Sequence, residues 1–196
     1  MPDTGNTVNT RAPLVTMFRV WCCLCLVLFC LPAAASEDQV ADDTLVKAAF
    51  IYNFAKFTRW PSQSWNGPKA PLNLCTTGKD ALISNLGRLN KETVGGRPVT
   101  ISTFTPGAEA SACHILYIAA SEHRHFTRII QQTRDAPVLT ISEIGRFAAA
   151  GGIIQLYHDQ QRIRFKINLD VARSRGLSLS ASLLDLAELV DTRVIP

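Results

Sequence analysis

Redox and metal chemistry are the first readings to test. Outside an apolar N-terminal segment the chain has only two cysteines, Cys75 and Cys113, and four histidines, His114, His123, His125 and His158. In an oxidising compartment two such cysteines either pair or are kept apart by geometry. Pairing would contribute about 4 kcal/mol by restricting the unfolded chain. Against it, two parallel neighbouring strands would place Cys75 late in one and Cys113 first in the other, beyond the roughly 7 Å that a disulfide spans between Cα atoms. A disulfide and two buried thiols both stay open, and no Cys-x-x-Cys supports a thiol oxidoreductase. His123 and His125, read on one helix, project about 200° apart and do not share a metal. His114 and His158 fall on separate strands without a cysteine or carboxylate motif beside them. There is no Gly-x-Ser-x-Gly or His-Glu-x-x-His, and Asp159 and Asp170 form no recognisable acid pair, so no catalytic residue, metal or cofactor is expected.

What remains are surfaces that could bind. Thr76-Thr77-Gly78-Lys79-Asp80 joins a strand to a helix start, where backbone N–H groups can hold an anion, but the second glycine and the hydroxyl after lysine of a nucleotide loop are missing. An ordinary strand-to-helix turn is the plainer reading. Arg162-Ile163-Arg164-Phe165-Lys166-Ile167 alternates basic and apolar residues, giving a strand with one core face and three cations on the other. Those cations either guard an edge strand against aggregation or dock an acidic partner. Phe57, Arg59, Trp60 and Trp65 make a second patch, since aromatic residues beside an arginine are typical interface anchors. Its alternative is a loop packed on the core.

The elements that must position these residues follow from periodicity. Asp42, Asp43 and Thr44 can cap a helix from about Leu45 to Arg59, ended by Trp60-Pro61. Only Lys47, Asn53 and Lys56 interrupt the apolar residues between Leu45 and Phe57, and not on one face, so the helix is buried on most sides or covered by a partner. After a loop from Pro61 to Pro71, strands are expected at Leu72–Thr76, Arg97–Phe104, Cys113–Ala119 and Ala136–Ile141. A hairpin is expected from Ile153–His158 and Arg162–Asn168. Helices are expected at Asp80–Leu89, Ser121–Arg134, Ser142–Ala150, Leu169–Arg175 and Ser180–Val190. Strand and helix in alternation build an α/β fold, with a mostly parallel central sheet flanked by helices on both faces and one antiparallel edge hairpin.

Composition agrees, with 47% hydrophobic and 18% charged residues in a chain of 196, which is the balance of one folded domain. A net charge of +4, evenly spread, gives no argument for nucleic-acid binding. Val20 to Leu31 is an uncharged apolar run after Arg19, followed by Pro32 and Ala33-Ala34-Ala35-Ser36, the pattern of a secretory signal peptide. The run is shorter than the roughly 20 residues of a membrane span. Cys22, Cys23, Cys25 and Cys30 lie inside it, which removes them from any disulfide framework, and none follows the small residues that lipoprotein processing requires. Met17 offers an alternative start. Residues 1–35 are read as a cleaved leader and 36–196 as a single exported domain, periplasmic in location.

Three segments carry a resemblance. Lys47-Ala-Ala-Phe-Ile-Tyr-Asn-Phe-Ala-Lys-Phe-Thr-Arg-Trp-Pro61, Gly151-Gly152-Ile-Ile leading to Ile163-Arg-Phe-Lys-Ile-Asn168, and Gly176-Leu-Ser-Leu-Ser-Ala-Ser-Leu-Leu184 together resemble the YfiR family of periplasmic regulators. The likeness spans nearly all of the chain after the leader. It implies a central sheet flanked by helices and a non-enzymatic repressor. That repressor holds inactive the periplasmic sensor domain of an inner-membrane diguanylate cyclase, YfiN, which lowers cyclic di-GMP and biofilm formation. It further implies an antagonist, the OmpA-like outer-membrane lipoprotein YfiB, and a role for the redox state of Cys75 and Cys113. A second cysteine pair known in the family falls near Phe147–Leu156, where this chain has none. The partners expected are thus a YfiN-like domain, a YfiB-like lipoprotein and a second copy of the chain, with Phe57, Arg59, Trp60, Arg162, Arg164 and Lys166 as candidate contacts. The rival reading is a periplasmic module for a small anionic solute, bound where the parallel strands end.

Overall fold

A computed structural model describes residues 35–105, 107–160 and 162–190, with side chains from Asp43 onward. Residues 1–34 of the leader expected over 1–35 lie outside the described residues. The described residues from Val40 onward pack as one unit.

The first helix, α1, is Ala35–Lys56. It buries Ala48, Ile51, Phe54 and Ala55 at helical spacing, with Phe54 edge-on to Phe165 at 4.9 Å between ring centres. It ends where Thr58–Arg59 turns extended as β1, and the Thr58 hydroxyl donates to the Phe54 carbonyl at 2.7 Å. The strands that follow are β2 (Leu72–Thr77), β3 (Thr93–Val94), β4 (Arg97–Thr103), β5 (Ile115–Ile118), β6 (Leu139–Ser142), β7 (Ile154–Asp159), β8 (Arg162–Ile167), β9 (Ser178–Leu179) and β10 (Glu188–Leu189). Helices α2 (Ala81–Leu86), α3 (Phe126–Gln132), α4 (Leu169–Ser174) and α5 (Ala181–Leu184) intervene. Side-chain oxygens of Asp80, Asn168 and Ser180 accept a first-turn N–H and so fix where α2, α4 and α5 begin.

One sheet has the order β10-β8-β7-β6-β5-β2-β4-β3, and β1 with β9 forms a separate antiparallel ribbon. Strands β2, β4, β5, β6 and β7 run parallel, and β7–β8 is the expected antiparallel hairpin. The chain starts at β2, steps out to β4, then returns past β2 to β5. The winding therefore reverses between β2 and β5. One sheet face packs against α1 and α4. The other carries Cys75, Leu116, Ile118, Ile129, Ile130 and Phe147. The mostly parallel α/β architecture with its hairpin is as expected.

Local departures have physical reasons. Ser142–Ala150 is not helical: the Ser142 hydroxyl accepts from the Ile144 N–H, and a series of turns closes on Gly151 at φ +98°. The expected helix at Ser121–Arg134 shortens to α3, preceded by a 3-10 turn, so His123 and His125 are not helical neighbours. The last expected helix stops after α5, and Glu188–Leu189 instead pairs in parallel with Lys166–Ile167, extending the sheet one position beyond the hairpin. Among the described residues no helix is long and apolar enough to cross a membrane.

Candidate functional site

Cys75 and Cys113 form a disulfide with their Cα atoms 5.8 Å apart. Cys113 precedes β5 and does not lie in it. The segment leading there crosses the sheet face on which Cys75 lies, where Phe104 and Ala110 also pack, so it meets Cys75 from above the sheet. This removes the objection based on strand register.

Next in sequence, His114 is buried at the centre of an aromatic cluster. Its ring stacks on Trp65 at 4.2 Å and meets Trp60 edge-on at 6.0 Å. Nδ1 accepts from the Asn73 N–H, which leaves Nε2 to donate to the Ser64 carbonyl at 3.0 Å, the arrangement of a neutral imidazole. Burial pushes its pKa below the ordinary 6.5, and the Arg97 charge adds to this, against the Ser64 hydrogen bond. The Trp60 indole donates to the His114 carbonyl at 3.1 Å. Arg97 lies over Trp65 at 3.9 Å and donates to the carbonyls of Gly67 and Ala70. In the sequence His114 was weighed only as a metal ligand and Arg97 only as part of a strand, because each is brought to the tryptophans from a distant element.

Two cavities open around the end of α1. One, of about 300 Å³, lies between Lys56, Phe57 and Arg59 on one side and Ser178 and Ser180 on the other. It exists because β1 pairs with β9, Arg59 opposite Ser178, while the Ser180 N–H donates to the Phe57 carbonyl at 3.0 Å. Its neighbour, of about 370 Å³, is floored by Leu72 and Val94 and walled by Trp60 and Trp65. Lys56 and Arg59 line both, and Arg97 lines the second, so every charged side chain lining either is a cation. Phe57 is 41% exposed beside them. Phe57, Arg59 and Trp60 thus come together on one concave surface.

Arg162, Arg164 and Lys166 are on one face of β8, as the alternation required, but the structure supplies carboxylates for two of them. Arg164 meets Asp159 at 2.7 Å and Lys166 meets Glu188 at 2.6 Å. The Glu188 carboxylate, held below its ordinary pKa by Lys166, also accepts from the Tyr157 hydroxyl. This patch is not brought into the α1 cavities.

The Thr76–Asp80 turn is satisfied from within. The Lys79 N–H donates to the Ser121 hydroxyl at 2.9 Å, Asp80 caps α2, and a side chain at Gly78 would collide with Ser121 and Ala119. At the winding reversal these turn groups are therefore engaged within the molecule. Beside it lies a polar network that the sequence did not signal. The Tyr117 hydroxyl donates to Asp80 at 2.6 Å and to Glu143 at 3.3 Å, Lys47 bridges Glu143 and Asp43, and His158 meets Asp43 at 2.9 Å. Burial by itself would lower the Lys47 pKa, but bonds to Glu143 and Asp43 outweigh it and raise it. Among the described residues no three His, Cys, Asp or Glu side chains could share a metal ion.

These features define an α/β domain of the doubly wound kind whose prominent concave surface is lined by cations and tryptophans. A family model described as YfiR/HmsC-like matches residues 44–188, and the chain belongs to that family. It is a family of periplasmic regulators of cyclic di-GMP signalling, regulatory and not catalytic in character.

Proposed function

We propose that this chain is a periplasmic repressor that binds the sensor domain of an inner-membrane diguanylate cyclase and holds it inactive. The supporting observation is the cleft shared by Lys56 and Arg59, where cations and tryptophans surround concave space without a lining carboxylate. Aromatic and arginine side chains around a partly desolvated hollow are what anchors a partner with an acidic surface. Repression needs only that the chain bind the inactive form of the cyclase more tightly than the active one. An OmpA-like lipoprotein competing for the chain would then release the cyclase, and cyclic di-GMP and biofilm formation would rise. A cleaved leader delivers the chain to the periplasm, and Cys75–Cys113, the only cysteines after that leader, restricts any redox control to one pair.

The test is binding of the processed chain to the purified cyclase sensor domain, together with cyclic di-GMP measured in cells. Arg59→Glu is expected to weaken binding at least tenfold without unfolding the chain, because Arg59 is exposed. Deleting the gene is expected to raise cyclic di-GMP where the cyclase is present. No binding by the wild type, or no rise on deletion, overturns the proposal.

A further inference from the structure

β2, β5 and β6 are parallel neighbours, so the segments that follow them emerge at the same end of the sheet. Each segment has exposed basic residues: Lys79 after β2, Arg124 and Arg128 after β5, and Arg146 after β6. The segments touch one another. The Lys79 N–H donates to the Ser121 hydroxyl at 2.9 Å, and the Phe126 ring lies 5.9 Å from that of Phe147, the residue after Arg146. Ile129 and Ile130 turn one side of α3 into the core, which leaves Thr127, Arg128 and Gln131 exposed. Cations scattered along the sequence thereby come together on one surface.

The carboxylates of these segments are already engaged. Asp80 accepts from the Ile83 N–H and the Tyr117 hydroxyl, Glu143 accepts from Lys47, and Glu122 faces His125 at 3.4 Å. Among the described residues no carboxylate comes within ion-pair distance of Lys79, Arg124, Arg128 or Arg146, in contrast to Arg164 and Lys166 on β8. The surface also lacks apolar anchors. Among the described residues the large apolar side chains that are exposed are Leu45, Val46, Phe57, Leu186 and Leu189, none of them in these segments. Protein interfaces are organised around aromatic and apolar anchors, whereas anionic headgroups attract basic side chains by charge alone. This composition therefore selects a lipid surface over a protein.

We propose that Lys79, Arg124, Arg128 and Arg146 dock the chain on a membrane surface of anionic phospholipid, with the headgroup phosphates as the groups the cations meet. The cleft at the end of α1 sits at the other end of the sheet, since the Trp60 indole bonds to the His114 carbonyl just before β5. None of the four cations lines either of the α1 cavities. Docking on lipid leaves the cleft open, and its failure would leave the cyclase-binding proposal standing.

The experiment is co-sedimentation of the processed chain with mixed phosphatidylglycerol and phosphatidylcholine vesicles, against vesicles of phosphatidylcholine alone. Binding to the mixed vesicles only is expected, and it should be lost at about 0.5 M NaCl, where screening confines the attraction to a few ångströms. Arg124→Glu with Arg128→Glu is expected to weaken binding at least tenfold, since each basic residue near an anionic surface contributes roughly fivefold. Arg88→Glu with Lys91→Glu makes the same change in net charge at the other end of the sheet, where the Lys91 N–H bonds to Val99 in the first part of β4, and is expected to weaken binding far less. All four substituted residues are exposed. Should the Arg124, Arg128 double variant fail to fold, Arg124→Gln decides. A chain that does not bind the mixed vesicles overturns the proposal, and loss of the cyclase sensor domain by the Arg124, Arg128 variant would then assign the surface to a protein. Equal losses for the two charge-matched variants also overturn it, as does release from the vesicles by millimolar glycerol phosphate, the mark of a small-anion site.

Discussion

His114 is kept neutral because a proton on its ring would have to be held inside an aromatic cluster beside Arg97, with Nδ1 already engaged as an acceptor. The unfolded chain takes up that proton as pH falls through about 6.5, and the native chain does so only at lower pH. The unfolded state therefore binds more protons in this window. The stabilisation is complete above the ordinary imidazole pKa and is lost as pH drops below it. Melting temperature is expected to fall from pH 7.5 to 5.5, and His114→Asn to flatten that slope while lowering stability at pH 7.5. Equal slopes for the two proteins would show that another group carries the acid sensitivity. The sequence shows His114 only as a histidine without metal-ligand neighbours, since a lone histidine ahead of a buried strand does not reveal that Trp60, Trp65 and Arg97 converge on it.

At the scale of elements, the turn between β6 and β7 is held by a close approach. A side chain at Gly152 would overlap the ring of Phe147, which is fully buried, whereas one at Gly145 in the same turn meets nothing within 4 Å. Gly152→Ala is expected to cost about 1–3 kcal/mol through overpacking. Gly145→Ala is expected to stay within about 0.5 kcal/mol of the wild type. Urea denaturation of both variants checks the contrast, and similar losses would refute it. The same scale explains why α1 showed no amphipathic stripe. Its buried face includes Lys47, paired with Glu143 and Asp43, and its exposed face includes Leu45 and Val46, so polarity and burial are inverted at these positions. Glu143 follows β6, far along the chain, and no pattern local to the helix could announce it.

For the molecule as a whole, the disulfide ties the approach to β5 onto β2 across a sequence separation of 38. Closing that loop restricts the unfolded chain, and Cys75→Ser, Cys113→Ser and the double variant are each expected to lose about 2–4 kcal/mol. Because one bond is broken in all three, the losses should not add. Thermal melting with and without reductant gives the measurement, and an additive double variant would contradict it. Reduction should also loosen the support of the neighbouring tryptophans, since Cys113 is bonded directly to His114. Intrinsic fluorescence reports this, because Trp60 and Trp65 are the only tryptophans beyond the N-terminal segment.

The amino-acid order by itself determined the alternation of strands and helices, the buried parallel strands, the hairpin and the basic face of β8, because each follows from short-range periodicity and turn chemistry. It also determined the absence of familiar catalytic motifs, and three spaced segments were enough to mark the family. Only the tertiary structure decided that Cys113 reaches Cys75, that Asp159 and Glu188 partner two of the β8 cations, and that Arg59 shares a cleft with Trp60, Trp65 and Arg97. Cys75 with Cys113, Lys166 with Glu188, and Arg59 with Arg97 are juxtapositions of residues tens of positions apart. They depend on the strand order and on segments crossing the sheet faces, which no local pattern encodes.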